Sequence, residues 1–394
     1  MTVAEAETII KSTTKDYGTE ILMAENSSSR VLAEDIISDR PIPPFNRVTM
    51  DGIAICYESL NINKEFKIHS TLRAGQQPEV IVAPDQCIEI MTGSVLPPGM
   101  DTIIRYEDIE ISNGLAKVLT SNISKGQNIH FEGSDGKQGV IIVPSGSYIT
   151  PRVIGVAASV GKTSLVIKKH PEIIIISTGD EIIDPAATPA SFELRSSNTP
   201  MIKAALAGQK IASTTLHLQD NEPQIIFELK NCLSQYDVLI ITGGVSMGKF
   251  DLIPVALESL QVRKLFHKVT QRPGKPFWFG IHTSGAVVFA FPGNPVSVCM
   301  CLYRYFFPWV NACMGKEDSA VYATLAENVS FLPKLTLFLQ VRLCMNEKAQ
   351  LMAFPIKNNS SGDYLSLINT DGFLELPGER DSFNKGEVFR LYKC

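Results

Sequence analysis

Paired glycines follow an apolar run near the middle of the sequence. Residues 240–251 read IITGGVSMGKFD, so the run leads into Gly243-Gly244 and then into a Gly-Lys pair. This spacing approaches that of a phosphate-binding P-loop, whose lysine is followed by a Ser or Thr that binds Mg²⁺. Phe250 stands at that position and has no hydroxyl. We therefore predict a different anion-binding loop, in which glycine N–H groups face the ligand.

Carboxylates follow similar apolar runs. Asp180 and Glu181 lie in TGDE, Asp220 lies in QDNE, and Asp251 ends the glycine loop. Carboxylate oxygens are the ligands that Mg²⁺ prefers, so we predict a phosphorylated ligand with a magnesium ion at these loops. An acid at the start of a helix is also a common N-cap, and that interpretation stays open.

Two cations flank a Pro-Gly turn in the segment QRPGKP. Arg272 and Lys275 could both face one anion there, and a doubly charged oxyanion would suit them. Basic residues in surface turns are more often only solvated, which is the alternative.

Four strand–loop–helix units position these residues. The strands EIIIIS, ASTTLHL, DVLIIT and AVVFAF lead into the loops TGDE, QDNE, GGVSMGKFD and PGNP, and each loop leads into a helix. This alternation predicts a mostly parallel, doubly wound sheet, with the ligand crevice at the carboxyl ends of the strands. In PGNP, Asn294 and Pro295 also fit an N-cap and a first helical residue.

The flanking regions differ from this core. Short strand-like runs broken by Pro, Gly and Asn predict an all-β region over about residues 36–142 and a small β-barrel or sandwich over residues 320–394. Helices are predicted at the opening segment, where Thr2 and Glu5 have capping-box spacing, and at TPRVIGVAAS.

Composition narrows the class of protein. The 394 residues are 44% hydrophobic and 20% charged with a net charge of −5, which is typical of a soluble protein with two to three domains and no attraction for nucleic acid. Eight cysteines and six histidines lack zinc-site or redox spacing. Neither a signal peptide nor a membrane-spanning run is found, so we expect a cytoplasmic location without membrane contact.

Several motifs, in order along essentially the whole chain, resemble those of the molybdopterin molybdenumtransferases, the family of MoeA and the gephyrin E-domain. They are PPFNRVTMDGIAI, MTGSVLPPGMD, GQNIHFEGSD, SGSYITPRVIGVAASVG, STGDE, TGGVSMGKFD, RPGKP and FPGNPVS. The resemblance implies a multidomain α/β plus β fold. It would contain a discontinuous helical dimerisation domain (1–40 and 140–168), an inserted β-domain (41–139), a doubly wound molybdopterin-binding α/β domain (169–316) and a C-terminal β-barrel (317–394).

The resemblance also implies an activity. Molybdate would be inserted into adenylylated molybdopterin with Mg²⁺ and release of AMP, by a homodimer in which the β-domain of one subunit completes the crevice of the other. A molybdopterin adenylyltransferase and molybdoenzyme chaperones are the implied protein partners. Two alternatives remain, namely molybdopterin adenylyltransferase activity and a non-catalytic scaffold of the same fold.

Site residues follow from the resemblance where the motifs match. The implied catalytic residues are Asp51, Thr92, Asp135, Glu181, Asp220, Asp251 and Lys275. The implied cofactor-binding residues are Thr178, Gly179, Asp180, Gly243, Gly244, Val245, Ser246, Gly248, Pro292, Gly293, Asn294 and Pro295. The implied molybdate-binding residues are Arg272, Lys275, Pro276, Ser361 and Ser366, and the implied Mg²⁺ ligands are Glu181, Asp220 and Asp251.

The chain departs from the family pattern at four places. FNRVTMDG replaces the usual FDNSAMDG, and His130 and Phe131 stand where basic residues are common. Arg272 stands where lysine is frequent, which keeps the charge, and Gln340 stands where arginine is frequent. Arg342 could replace that arginine, because it shares a strand face with Gln340 unless a bulge intervenes.

Overall fold

The structure is a computed structural model that describes residues 1–80, 83–245, 252–316, 319–357 and 360–394. The chain forms two compact units. The first comprises Met1–Ile21, Ser29–Val31 and Val166–Cys394, and the second comprises Leu22–Ser28 and Leu32–Leu165. In the described part of the chain, every helix is too short or too polar to cross a membrane.

The elements up to residue 168 include both predicted helices. They are α1 (Val3–Lys11), β1 (Thr19–Met23), β2 (Ile36–Ile37), β3 (Arg47–Val48), β4 (Gly52–Ile55), β5 (Glu65–Leu72), β6 (Gln86–Ile90), β7 (Thr102–Arg105), β8 (Ile109–Ser112), β9 (Leu115–Val118), β10 (Ile129–His130), β11 (Ile141–Val143), α2 (Pro151–Ser159) and β12 (Ser164–Lys168). The predicted capping box opens α1, because the Glu5 N–H donates to Thr2 Oγ1 at 3.2 Å and the Thr2 N–H donates to Glu5 Oε2 at 2.8 Å.

A six-stranded sheet forms the core of the second unit, in the order β7-β4-β6-β5-β9-β8. β5 and β6 are parallel and the other neighbours are antiparallel. Alternate residues of β4 supply two apolar clusters, with Ile53 and Ile55 in one and Ala54 in the other. The short strand β3 pairs with β10 outside this sheet, with Arg47 opposite His130.

The remaining elements form the larger part of the first unit. They are β13 (Ile173–Thr178), β14 (Ile182–Ile183), β15 (Leu194–Arg195), α3 (Asn198–Gly208), β16 (Thr214–Leu218), α4 (Glu222–Gln235), β17 (Val238–Thr242), α5 (Leu252–Ser259), β18 (Arg263–His267), β19 (Gln271–Arg272), β20 (Trp278–Ile281), β21 (Val287–Phe291), α6 (Pro295–Cys301), α7 (Phe307–Cys313), β22 (Val321–Leu325), β23 (Val329–Ser330), β24 (Thr336–Met345), β25 (Leu351–Pro355), β26 (Gly372–Leu376), β27 (Ser382–Phe383) and β28 (Val388–Lys393). A π-helical turn, Leu302–Phe306, joins α6 to α7.

The predicted parallel sheet lies in this unit, in the order β16-β13-β17-β21-β20-β18. The first four strands are parallel, whereas β20 and β18 extend the sheet antiparallel and were not predicted. One face carries α3, α6 and α7, and the other carries α4 and α5, each with its own apolar cluster. The doubly wound arrangement is therefore confirmed.

A closed five-stranded barrel follows. Its strands run β24-β25-β22-β28-β26, and β26 pairs back on β24 to close the ring. Leu325, Val341, Leu374 and Leu391 belong to the apolar cluster of these strands. Of the two predicted alternatives, a barrel and a sandwich, the structure shows the barrel. The ring closes because β24 is long enough to pair with both β25 and β26.

Candidate functional site

Loops at the carboxyl ends of neighbouring parallel strands enclose one cavity of about 730 Å³. Thr178 ends β13, Gly243 follows β17, and Gly293 and Asn294 follow β21, and all four residues line this cavity. The cavity also includes the predicted residues Glu181 and Pro295. Because β13, β17 and β21 are adjacent and parallel, residues more than a hundred positions apart meet at one edge of the sheet.

The glycine pair after β17 requires the absence of side chains. Gly243 and Gly244 have φ angles of +91° and +61°. A Cβ on Gly243 would lie 2.9 Å from the Thr178 carbonyl oxygen, and one on Gly244 would lie 2.9 Å from Thr178 Oγ1. The Thr178 hydroxyl is buried and has no hydrogen-bond partner among the residues that the structure describes. A buried polar atom of this kind calls for a ligand or water partner.

The PGNP loop starts α6 but does not cap it through its side chain. Asn294 occupies the N-cap position and Pro295 is the first helical residue, as predicted. The Asn294 side chain forms no capping bond within α6, and its Nδ2 instead donates to Ser361 Oγ at 2.8 Å. The Val296 N–H also donates to the Ser361 carbonyl oxygen, at 3.2 Å. Ser361 therefore lies beside the cavity.

Three predicted carboxylates follow β13 and β16, namely Asp180, Glu181 and Asp220. The Asp220 N–H donates to Asp180 Oδ1 at 3.0 Å. The Glu181 carboxylate folds back over Gly179, where a Cβ would lie 2.5 Å from Oε2. These oxygens suit a hard cation in their chemistry. In the part of the chain that the structure describes, however, no three His, Cys, Asp or Glu side chains form a metal-binding group, and Asp251 lies outside that part.

The other predicted ligand contacts divide into two sets. Ser246 and Gly248 lie outside the described residues. Val245 and Pro292 are buried, and Val245 packs in the apolar cluster beneath α4 and α5. Their side chains do not line the cavity, so they contribute to packing rather than to ligand contacts.

The RPGKP segment lies at the other end of α6 from Asn294. A Cβ on Gly274 would lie 2.9 Å from Cys301 Sγ, and Cys301 is the last residue of α6. At 1.5 Å per residue, the helix separates this turn from Asn294 by about 10 Å. Arg272 and Lys275 are exposed and Pro276 is half-buried, and the Arg272 guanidinium lies 5.8 Å from the centre of the Phe331 ring.

Gln340 binds the last predicted residue, Ser366. Both side chains are buried, and Gln340 Nε2 donates to Ser366 Oγ and to Thr370 Oγ1, each at 2.9 Å. The pairing of β24 with β26 and with β25 shows no register shift, so Arg342 shares the face of Gln340. Arg342 is exposed, with its guanidinium 6.0 Å from the Phe354 ring centre.

Two predicted catalytic residues meet in the second unit. The backbone N–H and the hydroxyl of Thr92 both donate to Asp51 Oδ1, at 2.6 and 2.7 Å. The backbone bond and then the hydroxyl bond from Thr92 lower the pKa of Asp51 below its ordinary value, so this exposed carboxylate is ionised at neutral pH.

Asp135 has partners that were not predicted. His130 Nε2 lies 2.8 Å from Asp135 Oδ1, and Arg47 Nη2 lies 3.1 Å from His130 Nδ1. Because arginine only donates, His130 Nδ1 accepts and Nε2–H donates to the carboxylate. The His130 bond is the main cause that lowers the pKa of Asp135. Two departures from the family pattern, Arg47 and His130, thus contact each other across β3 and β10.

Asn198 is a site residue that the sequence did not reveal. Its Nδ2 donates to the Gly293 carbonyl oxygen at 2.7 Å, which holds the loop after β21. Its Oδ1 is buried and accepts no hydrogen bond from any described residue. Only the fold brings Asn198 to this loop, and no motif in the sequence signals the contact.

Comparisons with known proteins cover almost the whole chain. It matches the MoeA N-terminal region (domain I and II) over residues 1–161, a probable molybdopterin binding domain over 174–312 and the MoeA C-terminal region (domain IV) over 322–394. A molybdopterin molybdenumtransferase of Synechocystis is 36% identical over 100% of this chain and 99% of its own length. One of Staphylococcus epidermidis is 31% identical over 92% of this chain and 88% of its own length. The crystal structure of a molybdopterin biosynthesis MoeA protein from Pyrococcus horikoshii OT3 has a TM-score of 0.84 at 25% identity, covering all of both chains.

Proposed function

Because this chain belongs to the molybdopterin molybdenumtransferase family, we propose that it inserts molybdate into adenylylated molybdopterin with Mg²⁺ and releases AMP. The family makes the chain a transferase of molybdenum cofactor biosynthesis. The adenylylated form of the substrate, the magnesium ion and the roles of individual residues are the proposed part.

The cavity after β13, β17 and β21 carries this proposal. Its volume of about 730 Å³ suits a ligand larger than a single phosphate or oxyanion. Gly243 and Gly293 are neighbours, since a Cβ on Gly293 would be in van der Waals contact with Gly243 Cα at 3.7 Å, and neither has a side chain that keeps a ligand away from the backbone. The Thr178 hydroxyl, which has no partner within the described part of the chain, adds a hydrogen-bonding group to the cavity lining. A phosphoanhydride fits there.

Glu181, Asp220 and Asp251 would hold the magnesium ion. Glu181 and Asp220 are carboxylates on adjacent loops, which matches the oxygen preference of Mg²⁺. Bound there, the ion would neutralise negative charge as the phosphoanhydride bond to AMP breaks. The chain's own contribution is to orient the phosphates and to limit water around them.

Molybdate would be bound by Arg272 and Lys275 beside Pro276, whereas Ser361 is bonded to Asn294 at the opposite end of α6 and Ser366 is buried against Gln340. Both cations are exposed, and the adjacent turn packs on the end of α6, which limits the ordering cost of binding. The dithiolene sulfurs of the substrate form the bonds to molybdenum, so the protein needs no nucleophile of its own.

Assembly and location extend the proposal. Asp51, Thr92 and Asp135 of the second unit would complete the crevice of the partner in a homodimer. A molybdopterin adenylyltransferase would supply the substrate, and molybdoenzyme chaperones would receive the product. A reducing cytoplasm suits the eight cysteines, all of which are free thiols.

The test is AMP release from adenylylated molybdopterin, measured by chromatography with and without molybdate and Mg²⁺. We expect release only with both, and a loss of about 100-fold in Glu181→Gln. Glu193→Gln is the matched control, because Glu193 lines the same cavity but its carboxylate accepts from the Ala190 N–H. Formation of adenylylated molybdopterin from ATP and molybdopterin would instead indicate adenylyltransferase activity. Substrate binding without any turnover would indicate the scaffold.

A further inference from the structure

We propose that Tyr364 stacks on a flat nitrogen heterocycle of the substrate and thereby determines which ligands the cavity accepts. It is the one aromatic residue among the described residues that line the cavity. The proposal rests on the proposed function, because adenylylated molybdopterin carries two such rings, an adenine and a pterin. Either ring offers the same chemistry, a planar π-face, to a tyrosine.

The backbone fixes Tyr364 at the cavity before a ligand binds. Tyr364 begins the 3₁₀ turn Tyr364–Asn369, and its N–H donates to the Gly362 carbonyl oxygen at 2.9 Å. Gly362 also lines the cavity, and the preceding Ser361 is hydrogen-bonded to Asn294. The loop that presents the tyrosine is therefore attached to the PGNP loop, so little ordering remains to be done when a ligand arrives.

The ring is available for a ligand. Tyr364 is 57% exposed although it lies at the wall of a cavity. Its hydroxyl makes no hydrogen bond to any described residue, so the polar end does not anchor the ring elsewhere. A ligand that covers the ring would remove apolar area from water, which favours binding.

The rest of the cavity lining has a polar part and an apolar part, which suits a ligand with a charged group and a flat ring. Ser177, Thr178 and Thr242, at the strand ends, are polar. Ile182 and Leu194 add apolar side chains to the lining and are direct partners in the β14–β15 pair. A bare phosphate or oxyanion would use only the polar part. A ligand with a charged group and a flat ring uses both.

Binding of two probes tests the role of Tyr364. AMP carries the adenine alone, and molybdopterin without the adenylyl group carries the pterin alone. Calorimetric titration of Tyr364→Ala should show binding weakened by about tenfold or more for whichever probe holds the stacked ring. Tyr364→Phe should bind that probe within about twofold of wild type, because it keeps the ring. Loss with AMP assigns the adenine, and loss with molybdopterin assigns the pterin.

Leu365→Ala is the matched control. Leu365 is the next residue of the same turn and is 65% exposed, but it does not line the cavity. It should bind both probes as wild type does. The proposal is overturned if Tyr364→Ala binds both probes as tightly as wild type while AMP release by wild type still proceeds. Failure of wild type to release AMP would instead overturn the proposed function.

Discussion

Replacement of Arg304 by methionine should destabilise the first unit strongly. Arg304 lies in the π-helical turn after α6 and is 2% exposed. Its Nη2 is 2.6 Å from Glu7 Oε2 of α1, and its Nε is 3.2 Å from Glu375 Oε2 of β26. Its guanidinium also lies 4.7 Å from the centre of the Tyr392 ring. The Arg304 side chain thus connects α1, the turn between α6 and α7, and the barrel strand β26.

The size of this loss of stability follows from the two carboxylates that lose their ion-pair partner. Glu7 and Glu375 would face an apolar side chain with only 18% and 23% of their side-chain surfaces exposed. Removing one partner of a buried ion pair costs about 3–5 kcal/mol. Lys11 Nζ remains 2.7 Å from Glu7 Oε1 and still neutralises part of the Glu7 charge. We therefore expect a loss of about 3 kcal/mol, at the lower end of that range.

Urea unfolding followed by tryptophan fluorescence measures this loss. Both tryptophans of the chain, Trp278 and Trp309, lie in the first unit, so the signal reports that unit. The midpoint should fall with an unchanged slope. Lys264→Met is the control, because the Lys264–Glu258 pair has the same 2.6 Å distance but is about half exposed, and its loss should cost under about 1 kcal/mol. Equal losses in both variants would refute the reasoning.

The same cluster predicts a pH dependence. Burial is the largest single effect and would raise the pKa of Glu7, but the charges and hydrogen bonds of Arg304 and Lys11 together outweigh it and lower the pKa from 4.5 to about 2. The lowered pKa contributes stability that is fully present above the unfolded-state pKa of 4.5 and is lost as the pH falls towards 2. Allowing for solvent that reaches Glu7, this amounts to about 2 kcal/mol. Glu7→Gln should flatten the stability profile between pH 5 and pH 2, and an unchanged profile would contradict the assignment.

Three further predictions concern the candidate site. Gly243→Ala should abolish AMP binding, because its Cβ would clash with the Thr178 carbonyl oxygen at the cavity. Gly285→Ala is the control, because Gly285 has a similar φ of +88° in a half-buried turn away from the cavity, so that variant should only lose stability. Equal AMP binding by both variants would contradict this. His130→Ala should raise the pKa of Asp135 towards 3.8, measured by carboxyl-carbon NMR titration, and an unmoved pKa would show that the bond is not made in solution. Lys275→Ala should raise the molybdate concentration for half-maximal AMP release about tenfold with pterin binding little changed, and an equal loss of pterin binding would mean that the lysine holds phosphate instead.

The parallel half of the sheet was predictable because its strands are buried on both faces. A strand such as β13 therefore consists of an uninterrupted apolar run, and each polar loop marks its end. The antiparallel strands β18 and β20 were missed. β18 begins with the exposed residues Arg263 and Lys264, and β20 spans four residues, so neither shows the period or length that identifies a strand.

The edge on which the site lies was also predictable, whereas the contacts within it were not. Parallel strands end on one side of a sheet, so the loops TGDE and PGNP had to converge whatever their side chains. The bonds from Asn198 to Gly293, from Asn294 to Ser361 and from Arg47 to His130 join residues 95, 67 and 83 positions apart.

Sequence spacing determines only what depends on near neighbours along the chain. The capping box of Thr2 and Glu5 and the position of Pro295 at the start of α6 are such features, because each involves residues within one helical turn. The direction of a side chain such as Asn294, which binds Ser361 rather than its own helix, depends on which remote loop is packed beside it. The tertiary structure decides that neighbour, because hydrogen-bonding groups pair with whatever packing brings within about 3 Å.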